Sequence, residues 1–205
     1  MKKVIATLVV NLGMSMSSFA AVDARLEDLY QKAVSDGGTA IRESYEYFKL
    51  AQEQDPGDPV ALFYLGASET LMASESWLPW NKVSYAENGI ARMDKALMMM
   101  EELKNPGLSV EGIPHDLLFK GIAATTFTKV PKFFNAFDRG YGLYHELMAD
   151  PRIAQMPPNA ISWIYCGALQ AAELLEDTEL ATSWKAKGAS RGTVNSCEDN
   201  KGTGQ

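Results

Sequence analysis

Several things are scarce in this 205-residue chain, and each scarcity removes a class of function. There are two cysteines and two histidines, too few for a metal site built from soft or imidazole ligands. His145-Glu146 opens like a zinc-protease motif, but the residue four places after His145 is Ala149, not a second histidine. His145 is expected at the surface near the end of its helix. His115-Asp116, just after Pro114, reads as ordinary helix N-terminal chemistry, the acid favourable to the dipole. No Gly-x-Ser-x-Gly elbow, P-loop or dinucleotide fingerprint occurs. Neighbouring acids such as Glu101-Glu102 and Glu176-Asp177 point apart on a helix, so they do not converge on one substrate. Enzymatic activity is not expected, and no cofactor is implied.

Basic charge is also short. The net charge is −7, and no basic stripe offsets it, which argues against nucleic acid or anionic lipid as a partner. No apolar run reaches the roughly 20 residues a membrane helix needs, so no transmembrane segment is expected. The longest, Val4 to Leu12, follows Lys2-Lys3 and precedes Ser18-Phe19-Ala20. That order predicts a signal peptide over 1–20, cleaved after Ala20, and export to the periplasm. No cysteine lies at the cleavage region, so a lipoprotein is not expected. Losing Lys2 and Lys3 would make the chain more acidic still.

What is present is helical periodicity, with no sustained strand alternation. Leu26, Leu29, Tyr30 and Ala33 share one face before Gly37-Gly38; Ile41, Tyr45, Phe48 and Ala51 share another before Asp55-Pro56-Gly57. Asp58-Pro59 predicts a capped restart. Val83, Ala86, Ile90, Met93, Leu97 and Met100 draw a long stripe that ends at Asn105-Pro106-Gly107. In Met98-Met99-Met100 the last continues that stripe, so packing explains it better than a copper site. Further helices are expected over Pro114–Phe127, Lys132–Met148, Asn159–Leu175 and Glu179–Ala189. The expected fold is all-α, an irregular array of antiparallel hairpins with seven to eight helices over 21–191, followed by a loosely ordered polar tail over 192–205.

Leu62-Phe63-Tyr64-Leu65-Gly66, Leu117-Leu118-Phe119-Lys120-Gly121 and Trp163-Ile164-Tyr165-Cys166-Gly167 repeat one pattern early in three helices. Glycine inside a helix costs about 1 kcal/mol against alanine. Its recurrence predicts that Gly66, Gly121 and Gly167 each face a neighbouring helix backbone. The stretch from Asp55-Pro56-Gly57-Asp58-Pro59 into Leu65-Gly66, with the alanine-containing helix around Ala91–Leu97, resembles the junction between tetratricopeptide repeats. The resemblance implies stacked helical hairpins. The glycines lie further apart than such repeats, and Glu69 and Ala124 stand where an aromatic is expected, so long inter-helix loops are predicted.

Two of those loops combine proline, aromatics and lysine: Ser76–Lys82 and Thr126–Phe134. Their Trp77, Trp80, Phe127, Phe133 and Phe134, with Lys82, Lys129 and Lys132, are expected on one side of the array as a partner-binding surface. The favoured partner is another periplasmic or envelope protein, with an accessory subunit of an envelope transporter or complex as the expected setting. The alternative is a small molecule held in a pocket lined by Trp77, Trp80, Phe133 and Phe134. Two cysteines in an oxidising compartment favour a bridge between Cys166 and Cys197. Cys166 sits at an apolar helix position that suits a free thiol as well.

Overall fold

The computed structural model describes residues 17–103, 107–109, 112–194 and 197. Among these are eight α-helices and no strand: α1 Ser17–Asp36, α2 Gly38–Gln54, α3 Pro59–Glu75, α4 Pro79–Glu101, α5 His115–Lys129, α6 Phe137–Ala149, α7 Pro158–Leu174 and α8 Thr178–Ala189. Residues 1–16 of the expected signal peptide lie outside the described residues, and α1 runs across the expected cleavage point.

Local chemistry sets the helix ends. Gly37 takes φ 65 after α1, a left-handed backbone that glycine tolerates without steric penalty. The Asp58 carboxylate accepts a hydrogen bond from the Val60 amide at 2.8 Å, and Pro59 fills the first turn of α3. Asp177 does the same for Leu180 at the start of α8. The single helix expected over Lys132–Met148 is broken. A one-turn 3-10 helix, Lys132–Phe134, is followed by Asn135 at φ 52, and only then does α6 begin. Asparagine is one of the few residues that occupies that region at low cost. The long loops are also shorter than expected. Only Ser76–Leu78 separates α3 from α4, so Trp80 and Lys82 lie in the first turns of α4, while Phe127 and Lys129 belong to α5.

The helices stack as consecutive antiparallel hairpins, α1–α2, α3–α4, α5–α6 and α7–α8. The odd-numbered helices run parallel. Gly121 of α5 lies against Trp163 and Ile164 of α7, and further along the same helices Thr125 lies beside Gly167. Glu75, at the end of α3, accepts a hydrogen bond from the Gly38 amide at 2.7 Å. The α1–α2 and α3–α4 turns therefore share one end of the stack, and the alternating direction brings the α5–α6 turn to it as well. Aromatic rings weld the units together. Phe63 stacks on Phe119 at 4.0 Å between centroids, and Tyr64 is flanked by Phe48 at 5.1 Å and Phe119 at 5.2 Å. The central aromatics of the repeated pattern, Tyr64, Phe119 and Tyr165, are all buried. Each such ring contributes about 2–3 kcal/mol by leaving water.

The three glycines do not play one role. Gly66 meets a backbone: a Cβ there would come within 2.7 Å of the Gly89 carbonyl oxygen, and one on Gly89 within 2.6 Å of the Gly66 oxygen. Gly121 and Gly167 face side chains instead. Gly121 makes room for the Trp163 indole, and Gly167 for the Tyr144 phenol. At those two contacts, α5 with α7 and α7 with α6, a ring lies where Gly66 meets backbone.

The chain beyond α8 is partly built into the fold. Thr193 is fully buried, its amide and Oγ1 both donating to the Gly188 carbonyl at 2.9 and 3.0 Å, and Val194 packs on the core. Gly192–Val194 thus belongs to the packed unit and not to a loosely ordered tail. Cys197 is joined to Cys166 by a disulfide with Cα atoms 5.2 Å apart. The remaining tail residues, 195–196 and 198–205, lie outside the described residues.

Candidate functional site

A cleft of about 680 Å³ lies between α1, α5 and α7. Its floor is apolar: Tyr30 from α1, Ile113 before α5, Leu118 and Ile122 from α5, and Trp163 from α7. Glu27, Asp28 and Gln31 of α1 border one side, Thr125 and Thr126 of α5 another, and Asn159 of α7 a third. Every one of these positions comes from a helix of the inner, odd-numbered set or from the segment entering one. The walls are pre-set by packing. The Trp163 indole N–H donates to the Ala160 carbonyl at 2.9 Å, which fixes the ring. Thr125 Oγ1 shares a 2.9 Å hydrogen bond with the Tyr144 hydroxyl, and burial pushes that phenol up to about 12. Tyr30 is likewise raised by burial, so its hydroxyl stays neutral at any ordinary pH.

A second recess, about 320 Å³, lies where α4 and α5 meet the α6–α7 turn. Its charges are already engaged. Arg152 forks between Asp116 and Asp150, each at 2.7 Å, and Lys120 lies 2.5 Å from Glu146 and 3.8 Å from Glu101. Hydrogen bonds from Arg152 hold the Asp150 carboxyl below its usual range. These pairs pin the turn to α5. They leave no cation aimed at a ligand.

The residues singled out from sequence separate into three groups. Trp77, Trp80 and Phe133 are 86%, 67% and 64% exposed, and Lys82, Lys129 and Lys132 are exposed beside them. Phe134 is half-buried against the core, its ring 4.2 Å from that of Phe133. Phe127 does not reach the surface at all. It is fully buried on α5, pressed by Gly140 of α6 and covered by the Arg139 guanidinium at 5.1 Å. None of Trp77, Trp80, Phe133 or Phe134 lines either recess. The cleft residues Tyr30, Ile122 and Trp163 were legible only as apolar helix positions; nothing local marks them as facing one another.

His115 is buried and stacks on Phe119 at 5.3 Å, whereas His145 is exposed, with its ring edge-on to Tyr141 and Trp184. Among the described residues no three His, Cys, Asp or Glu side chains are grouped to hold a metal. No helix there is long and apolar enough to cross a membrane. Met93 and Met100 are core residues and Met98 is exposed. No protein-family model, curated protein or solved structure matches the chain significantly.

Proposed function

We propose that the protein is an exported periplasmic scaffold, similar in plan to tetratricopeptide arrays, whose inner cleft holds a peptide segment of another envelope protein. An accessory subunit of a transporter or a comparable complex fits this plan. The observation that carries the reading is the cleft between α1, α5 and α7. It has an apolar floor, polar borders and helical walls locked by core packing. Grooves of this kind accept a segment's apolar side chains while the rims meet its backbone and polar groups. Because the walls are already ordered, little conformational entropy is lost from the protein on binding. The apolar floor and polar borders suit binding, and we read the protein as a binder and not an enzyme.

Affinity capture from a periplasmic extract, with mass spectrometry of what is retained, tests this. Thr126→Trp fills the cleft from a half-exposed position and is expected to abolish capture with the melting temperature kept. Undiminished capture by this variant rejects the cleft as the binding site. A second reading has its own support: 680 Å³ lies within the range of small-molecule pockets, about 300–1,000 Å³. Native mass spectrometry that finds a bound metabolite displaced in Thr126→Trp, with no protein captured, decides for that alternative.

A further inference from the structure

We propose that the end of the stack formed by the α3–α4 and α5–α6 turns docks on an anionic lipid surface. The proposal rests on those turns and not on the cleft, so either can fail without the other.

Trp77 and Trp80 are exposed over most of their surface, and so is Phe133 on the neighbouring turn. Among the described residues neither indole makes a ring contact or a hydrogen bond. Both rings are therefore fully available to an outside surface. Large exposed apolar groups grouped at one end mark an interaction site. The kind of partner follows from shape and charge. A protein partner that buries such rings seats them at a shaped, concave interface. Here the rings stand on exposed tips of two separate turns, and neither recess includes them. Tips of this form suit a deformable, laterally continuous surface. Tryptophan also prefers the membrane interface, where the ring enters the acyl boundary and the N–H stays among headgroups.

The charge pattern specifies the headgroup. Net charge −7 argues against anionic lipid for the molecule as a whole, but this end departs from it: Ser76–Lys82 and Thr128–Ala136 contain Lys82, Lys129 and Lys132 and no carboxylate. Glu75, which borders the first turn, is engaged by the Gly38 amide. Lysine stems can lie along the apolar layer while their ammonium groups meet lipid phosphates. Acidity over the rest of the molecule repels an anionic membrane, so it orients the protein with this end inward. The α7–α8 turn also exposes Leu174 and Leu175 but adds Glu176 and Asp177. It extends the apolar patch without contributing to the attraction.

The test uses the mature protein with vesicles of phosphatidylcholine alone or mixed with phosphatidylglycerol. The chain has four tryptophans, of which Trp184 is buried and Trp163 half-buried, so a lipid-induced blue shift reports mainly on Trp77 and Trp80. The expected result is sedimentation with mixed vesicles only, weakened by salt and accompanied by that shift. Trp77→Ala with Trp80→Ala should reduce partitioning about tenfold or more. Lys82→Gln with Lys132→Gln should reduce it roughly thirtyfold, about fivefold for each charge near the surface. All four positions are exposed, and unchanged circular dichroism confirms the fold in each variant. Folded protein that ignores mixed vesicles overturns the proposal. So does binding that neither pair of substitutions weakens. Loss of a captured protein partner in Trp77→Ala, while vesicles stay unbound, assigns this end to protein instead.

Discussion

Replacing Gly66 by alanine adds one methyl group, and the structure fixes where it goes. The new Cβ would lie 2.7 Å from the Gly89 carbonyl oxygen, 2.9 Å from Arg92 Cβ and 3.0 Å from Met93 Cγ. Ordinary contact begins near 3.4 Å, so α3 and α4 must separate by several tenths of an ångström along a seam that also carries Ala67, Ala96 and Met93. Two of the three obstructing atoms are backbone or Cβ, which cannot rotate away. Alanine's helix propensity returns about 1 kcal/mol, while overpacking a close helix contact costs about 1–3 kcal/mol. A Cβ 2.7 Å from a backbone oxygen puts the cost in the upper part of that range, about 2–3 kcal/mol. The expected net is therefore a loss of about 1–2 kcal/mol, or roughly 2–8 °C in melting temperature for a domain of this size. Gly142 on α6 supplies the control. It is exposed, and a Cβ there would meet nothing within 4 Å. Gly142→Ala should gain the propensity term alone and melt about 2–4 °C higher. Thermal unfolding followed at 222 nm measures both variants under identical conditions. If Gly66→Ala melts at or above the parent temperature, the helices are not held at backbone contact and the argument is wrong.

Arg92→Ala leaves the buried Glu69 carboxylate without its 2.8 Å partner and should destabilise by about 2–3 kcal/mol at neutral pH. Burial already raises the Glu69 carboxyl above its usual value, more than Arg92 lowers it. The folded state therefore binds that proton more readily, so the defect should shrink as pH falls through the carboxylate range and grow as it rises. Chemical denaturation at several pH values checks this, and Glu69→Gln in the same chain should remove the dependence. Replacing Cys166 and Cys197 by serine opens a loop of sequence separation 31, which should cost about 3–4 kcal/mol; a melting temperature unmoved by the change or by reductant would contradict it. Phe134→Ala should lower stability by about 1–3 kcal/mol because that ring is packed on the core. Trp80→Ala should leave melting unchanged, since its ring is 67% exposed.

The all-α class, most helix boundaries and the hairpin order were written in local chemistry. Asp58 caps α3 because a carboxylate beside Pro59 can satisfy a free amide, and Gly37 ends α1 because only glycine readily takes its backbone angle. Those interactions span a few residues, so a linear reading finds them. The break at Asn135 was hidden because Lys132–Met148 carries a continuous helical stripe; the core contact of Phe134 overrides it. Phe127 and Phe133 look alike in sequence, six residues apart and both near prolines and lysines. One is buried and the other exposed because α6 crosses over α5 at Gly140, a contact that sequence spacing does not encode. Gly66 and Gly89 become partners only once α3 and α4 fold onto each other. The cleft is the extreme case: Tyr30, Ile122 and Trp163 sit on three helices, each an unremarkable apolar position on its own stripe. Local propensity determined which segments are helices. Packing between segments distant in sequence decided which faces close into core, which ring stays outside, and where the cleft is left open.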